Sequence, residues 1–124
     1  NDVREKLSLF ARDLKLIKKN KDFFKKDLEK NIYLNNKNYL INLNILNFVI
    51  NPKCKLEYFF VILKNILQSK VHAFPIDGKY LIKNGMKEGT ILGRVLKIIE
   101  EEWINNGFKI SKNRVIEIIK SNLS

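Results

Sequence analysis

Apolar residues return at intervals of three and four along most of this chain, a spacing that points to amphipathic α-helices. Val3, Leu7, Phe10, Leu14 and Ile17 fall on one stripe, and Leu92, Val95, Leu96, Ile99 and Trp103 fall on another. Each stripe becomes a single buried face once the backbone turns at 3.6 residues. The spacing predicts a first helix over residues 2–19, with Arg4, Lys6, Arg12, Lys15, Lys18 and Lys19 mostly off the apolar face. A second helix is predicted over 21–31, with Phe23, Phe24 and Leu28 inward, followed by an Asn-rich loop over 35–38. The apolar run 39–50 reads as a helix, since its neighbours are helical and no strand partner is evident. Pro52 breaks it, and 56–67 forms the next helix.

The last third carries the clearest punctuation. Pro75 precedes a short helix that Asp77 is placed to cap and that runs to about Asn84. Gly85 can end it in the left-handed conformation. Met86-Lys87-Glu88-Gly89 makes a tight connection, and Thr90 is the expected N-cap of a longer helix reaching Asn105. Gly107 closes that helix, and Ser111 caps a final one carrying Val115, Ile118 and Ile119. The fold class expected is all-α: a compact multi-helix bundle, one domain over 1–124, with a helix-hairpin-helix-like C-terminal part.

Composition narrows the class of partner. The chain has 124 residues and a formal net charge of +11, which favours a polyanion. The excess is spread along the chain, +4 over residues 1–30, +4 over 31–70 and +3 over 71–124, so it is not a basic tail. Lone Cys54 rules out an internal disulfide, and with one His it makes no recognisable metal site. No signal peptide is recognisable, and no apolar run is long enough to span a bilayer. These features point to the cytoplasm. Beginning at Asn1 rather than Met, the chain reads as part of a longer protein.

Candidate functional residues cluster at the C-terminal hairpin. A helix that starts at a Gly-bracketed bend offers free backbone N–H groups and a favourable dipole to a phosphate. Lys83 and Lys87 sit beside the bend, Arg94 one turn along, and the same surface is expected to include Lys79, Gly89, Thr90 and Lys97, with Lys109 and Lys112 as outlying members. This is a sequence-independent way to hold a sugar–phosphate backbone. Glu100-Glu101-Glu102 point in different directions on a helix and read as a solvated face. His72 reads as structural or surface, and Trp103 and Phe108 as core rather than base-stacking residues. Tyr58-Phe59-Phe60 are contiguous, so at least one ring must face outward or meet a neighbouring domain.

The segment from Phe74-Pro75-Ile76-Asp77-Gly78-Lys79-Tyr80-Leu81 to Trp103-Ile104-Asn105-Asn106-Gly107-Phe108 resembles the part that follows the catalytic region in bacterial CCA-adding tRNA nucleotidyltransferases and the similar poly(A) polymerases. The resemblance rests on Pro75, Ile76, Gly78, Leu81, Gly85, Gly89, Leu92 and Gly93 at the family's spacing, and it covers 72–120. The Trp103–Phe108 ending resembles the alphaproteobacterial branch. Lys79-Tyr80 stand where the family often has Asp. The resemblance implies a tRNA-binding body and tail that position tRNA for 3′-end addition by the catalytic N-terminal domain of the same protein. The family's Asp-x-Asp pair and Arg-rich nucleotide-selecting helix are absent from this sequence. No catalytic residue or cofactor is therefore assigned to this chain, and Mg and CTP or ATP are expected only in the catalytic domain. A fragment of a poly(A) polymerase and a non-enzymatic helical nucleic-acid-binding or protein-docking module are the alternatives.

Overall fold

The computed structural model describes residues 2–123, without the side chains of 2–4, 6 and 7, so the expected inward positions Val3 and Leu7 and the outward Arg4 and Lys6 lie outside the described residues. Among the described residues the structure is all helical: α1 Asp2–Lys19, α2 Leu28–Asn35, α3 Lys37–Ile50, α4 Leu56–Gln68, α5 Gly78–Lys83, α6 Thr90–Asn105 and α7 Lys112–Ser121. The chain divides into two compact units, Asn1–Val71 and His72–Ser124, each with its own core. The 72–120 segment singled out by its motifs falls within the second.

In the first unit, α1 to α4 close around Phe23, Phe24, Leu28, Ile32, Leu40, Leu43, Ile62 and Ile66. Phe10, Leu14 and Ile17 of α1 pack on this core, as their spacing predicts. The helix expected over 21–31 begins only at Leu28. Residues 20–27 wind instead through hydrogen-bonded turns, with Asn20 Oδ1 accepting from Asp22 N at 3.0 Å and Asp22 O accepting from Asp27 N at 2.9 Å. Adjacent residues on an α-helix diverge by about 100°, so a regular helix would splay Phe23 and Phe24. The turns bury both, edge to face at 5.0 Å.

The loop expected over 35–38 shrinks to one residue. Asn36 takes a positive φ of 88° and caps α3, its Oδ1 accepting from Tyr39 N at 2.9 Å. Helices α3 and α4 form an antiparallel hairpin: Lys37 Nζ at the start of α3 donates to Leu67 O at the end of α4, 3.0 Å away. Asn44 is fully buried between them and donates its Nδ2 to Phe59 O at 3.1 Å. The Tyr39 hydroxyl donates to the buried Asp13 carboxylate, and Phe10 stacks on the same ring at 4.8 Å.

In the second unit, α5, α6 and α7 bury Leu81, Met86, Val95, Ile99, Val115, Ile118 and Ile119. Asp77 and Ser111 cap as expected, accepting from Tyr80 N at 2.9 Å and Arg114 N at 3.1 Å. At the end of α6, Gly107 and Phe108 both have positive φ, and Phe108 N donates to Trp103 O at 2.8 Å. His72 stacks flat on Phe108 at 3.9 Å, and Trp103 meets Phe108 edge-on at 5.0 Å. Trp103 is buried and Phe108 half-buried, consistent with packing roles.

Two predictions follow from these contacts. Ile66→Ala empties fully buried space, and its unfolding free energy in urea should fall by about 2–5 kcal/mol. Burial first, and then the bond to Asp13, hold the Tyr39 phenol protonated and raise its pKa well above 10.0. An acid whose folded pKa is raised contributes stability that is complete below its unfolded pKa and lost as pH rises beyond it. Alkaline titration should therefore weaken the fold from about pH 10 upward through this group, and Tyr39→Phe should remove that part of the slope.

Candidate nucleic-acid interface

The elbow between α5 and α6 is built by residues with specific backbone demands. Helix α5 ends at Lys83, and Gly85 follows with φ 107°. Thr90 does not cap α6, as the sequence pattern predicts; it is the first helical residue, and Gly89 occupies the capping position with φ 144° and ψ −170°. That conformation belongs almost solely to glycine. No side chain caps this helix start, and residues 85–91 together with Asn122 and Leu123 line an open depression of about 400 Å³ there. Its lining holds one basic and one acidic side chain, Lys87 and Glu88.

Burial of α6 decides what else faces outward. Val95 and Ile99 are fully buried, and Thr90, Arg94 and Lys97 lie on the opposite side of the helix, all exposed. Their spacing of four and three makes one solvent-facing stripe rising from the elbow. Glu101 follows on the same face and ends the basic run. Lys79 and Lys83 are exposed on α5. Gly78, the first residue of α5, allows close approach to α6: a Cβ there would stand 3.2 Å from Leu92.

Lys109 and Lys112 do not join this group. Asn122 and Leu123, just past α7, line the elbow, whereas Lys112 begins α7, a helix of 10 residues. At 1.5 Å per residue that puts Lys112 and its neighbour Lys109 about 15 Å from the elbow, at the other end of the unit.

Tertiary contacts pair charged residues that stand apart in the sequence. Arg114 on α7 grips Glu102 on α6 with Nε to Oε2 at 2.8 Å and Nη2 to Oε1 at 2.9 Å, and reaches Glu117 at 3.1 Å. The hydrogen bonds from Arg114 hold the Glu102 carboxyl below the usual range. Glu102 thus ties two helices together instead of serving only as a solvated face. Nothing in the local sequence marks this pair, whose members are 12 positions apart. Among the described residues, no three His, Cys, Asp or Glu side chains converge as a metal site, and no helix is long and apolar enough to cross a membrane.

Sequence comparison finds relatives with a named activity. The chain is 30% identical over 59 residues to mitochondrial CCA tRNA nucleotidyltransferase 1 of Mus musculus, and 29% identical over 59 residues to its Homo sapiens counterpart. Each match covers 48% of this chain but only 14% of the relative. No family model and no solved structure matches the chain. The similarity relates part of the chain to a CCA-adding nucleotidyltransferase.

The elbow's backbone makes a direct prediction. A methyl group on Gly89 meets nothing within 4 Å, so Gly89→Ala should cost only backbone strain, about 1–3 kcal/mol in urea unfolding. Gly93, inside α6 and equally unobstructed, is the control: Gly93→Ala should raise stability by about 1 kcal/mol.

Proposed function

We propose that this chain is the tRNA-holding body and tail of a CCA-adding tRNA nucleotidyltransferase, of the bacterial, alphaproteobacterial-like branch, working in the cytoplasm. It positions the 3′ end of tRNA for a catalytic N-terminal domain of the same protein, where Mg and the nucleotide bind. The observation that carries the reading is the exposed stripe Thr90–Arg94–Lys97 rising from the uncapped start of α6, inside the segment that resembles the family. Lys79, Lys83 and Lys87 add charge around the same bend. Both matched relatives are named for CCA addition, which favours that activity over poly(A) synthesis.

A sugar–phosphate chain laid along the stripe would meet two kinds of group. The N–H groups of the first turn of α6 donate to phosphate oxygens, helped by the helix dipole. The exposed Arg and Lys side chains neutralise neighbouring phosphates and release counterions. Neither interaction reads base identity, which suits a protein that must accept many tRNAs. Stacked A-form RNA presents phosphates and 2′-hydroxyls in a fixed pattern, so the spacing of these groups selects shape. The chain's own task in this scheme is to bind and orient.

The test is a titration of the chain with folded tRNA and with duplex DNA over a range of salt. Tighter binding of tRNA, with log affinity falling linearly with log salt, supports the reading. Combined Lys83→Glu and Lys87→Glu should weaken tRNA binding and lower the salt slope by about 2, while helix content by circular dichroism stays unchanged. Equal affinity for both nucleic acids, or an unchanged slope in the double variant, would sink it.

A further inference from the structure

Helix α4 carries more apolar surface than its own unit covers. Phe59, Ile62 and Ile66 form the stripe turned to the core, with Ile62 and Ile66 almost wholly buried. A second stripe, Leu56, Phe60, Leu63 and Leu67, runs at intervals of four, three and four about 100° around the helix. Leu56, Phe60 and Leu67 are 54%, 54% and 58% exposed, and Leu63 is half-buried. Such spacing is the seam of a two-stranded coiled coil. Only one seam is needed to fold the unit, so the other has no internal partner. The contiguous rings at 58–60 divide in the same way, with Tyr58 and Phe60 exposed and Phe59 half-buried against Phe48 at 5.0 Å.

We infer that this second stripe pairs with α4 of a second copy of the chain, antiparallel and related by a two-fold axis. The charges beside the stripe select that occupant. Glu57 and Lys64 lie on one flank of it, seven residues apart and both exposed. In an antiparallel pair centred on the stripe, Leu56 of each copy meets Leu67 of the other, and Phe60 meets Leu63. That register brings Glu57 of each copy beside Lys64 of the other, on the flank where interhelical ion pairs form. The arrangement is self-complementary, as a two-fold interface requires, since every contact occurs twice. In a parallel pair the two-fold axis runs along the helices and carries this flank to opposite sides of the seam, so Glu57 and Lys64 of the two copies never meet; only the antiparallel pair forms the ion pairs. A helix of 13 residues makes a seam of roughly 20 Å. Association is therefore concentration-dependent, and the solvent-flanked ion pairs govern direction more than affinity.

The inference does not rest on the proposed function, and its test involves no nucleic acid. Sedimentation equilibrium of the 124-residue chain should show a reversible shift from a 14.6 kDa monomer to a species of twice that mass. Phe60→Glu puts a charge on an exposed position, so folding by circular dichroism is expected to survive, while the dimer dissociation constant rises about 30-fold or more. Glu57→Lys alone should weaken the dimer, and Glu57→Lys combined with Lys64→Glu should restore it. A chain that stays monomeric at hundreds of micromolar overturns the inference. So does a dimer indifferent to Phe60→Glu, or one that the charge exchange fails to restore.

Discussion

The burial of Val95 and Ile99 on α6 organises the second unit, because a helix cannot hide one face without committing the other. With those two side chains fully enclosed among Leu81, Val115 and Ile119, the rotation of α6 about its axis is set. Thr90, Arg94 and Lys97 are then turned to solvent as a matter of geometry. The elbow has to follow, since the chain must leave α5 and enter α6 with Leu81 and Val95 both in the core. The connection is short enough that Gly89 must adopt a backbone conformation other residues avoid. The exposed basic stripe and the open helix start are thus consequences of one packing decision, and a change that loosened the core would blur both.

Much of this could be read in the sequence wherever a local rule acted alone. Three-and-four spacing located α1 and α6, apolar runs on either side of Pro52 located α3 and α4, and the short polar side chains of Asp77 and Ser111 marked the starts of α5 and α7, which they do cap. Local rules failed where two of them competed. Thr90 is a good capping residue, but Gly89 beside it is the better fit to the turn, and the turn prevailed. Phe23 and Phe24 both demanded burial, which a regular helix could not supply, so α2 starts later than periodicity implies. Neither Tyr39 with Asp13 nor Arg114 with Glu102 was legible, because the partners are 26 and 12 positions apart and meet only after the helices pack. The candidate site was legible in its composition but not in its extent, since the length of α7 separates Lys109 and Lys112 from the elbow.

Charged side chains divide unequally between internal contacts and open surface. Acidic side chains are drawn into internal duties more than basic ones. Asp13 is buried beneath Tyr39, Asp77 caps α5, and Glu102 and Glu117 are held by Arg114. Lys79, Lys83, Lys87, Arg94 and Lys97 meanwhile remain exposed.

Residues 1–71 hold 15 Lys and Arg against 7 Asp and Glu, a net +8, whereas residues 72–124 hold 9 against 6, a net +3. The motif-bearing unit is thus the less charged one. A motif records where backbone geometry is demanding, and glycine, proline and capping residues are its currency. Net charge records long-range attraction, which needs no particular backbone and leaves no motif. On the proposed reading the two properties divide the work between the units: residues 1–71 supply most of the attraction that brings RNA close, and the α5–α6 elbow supplies the fixed donors that set its register.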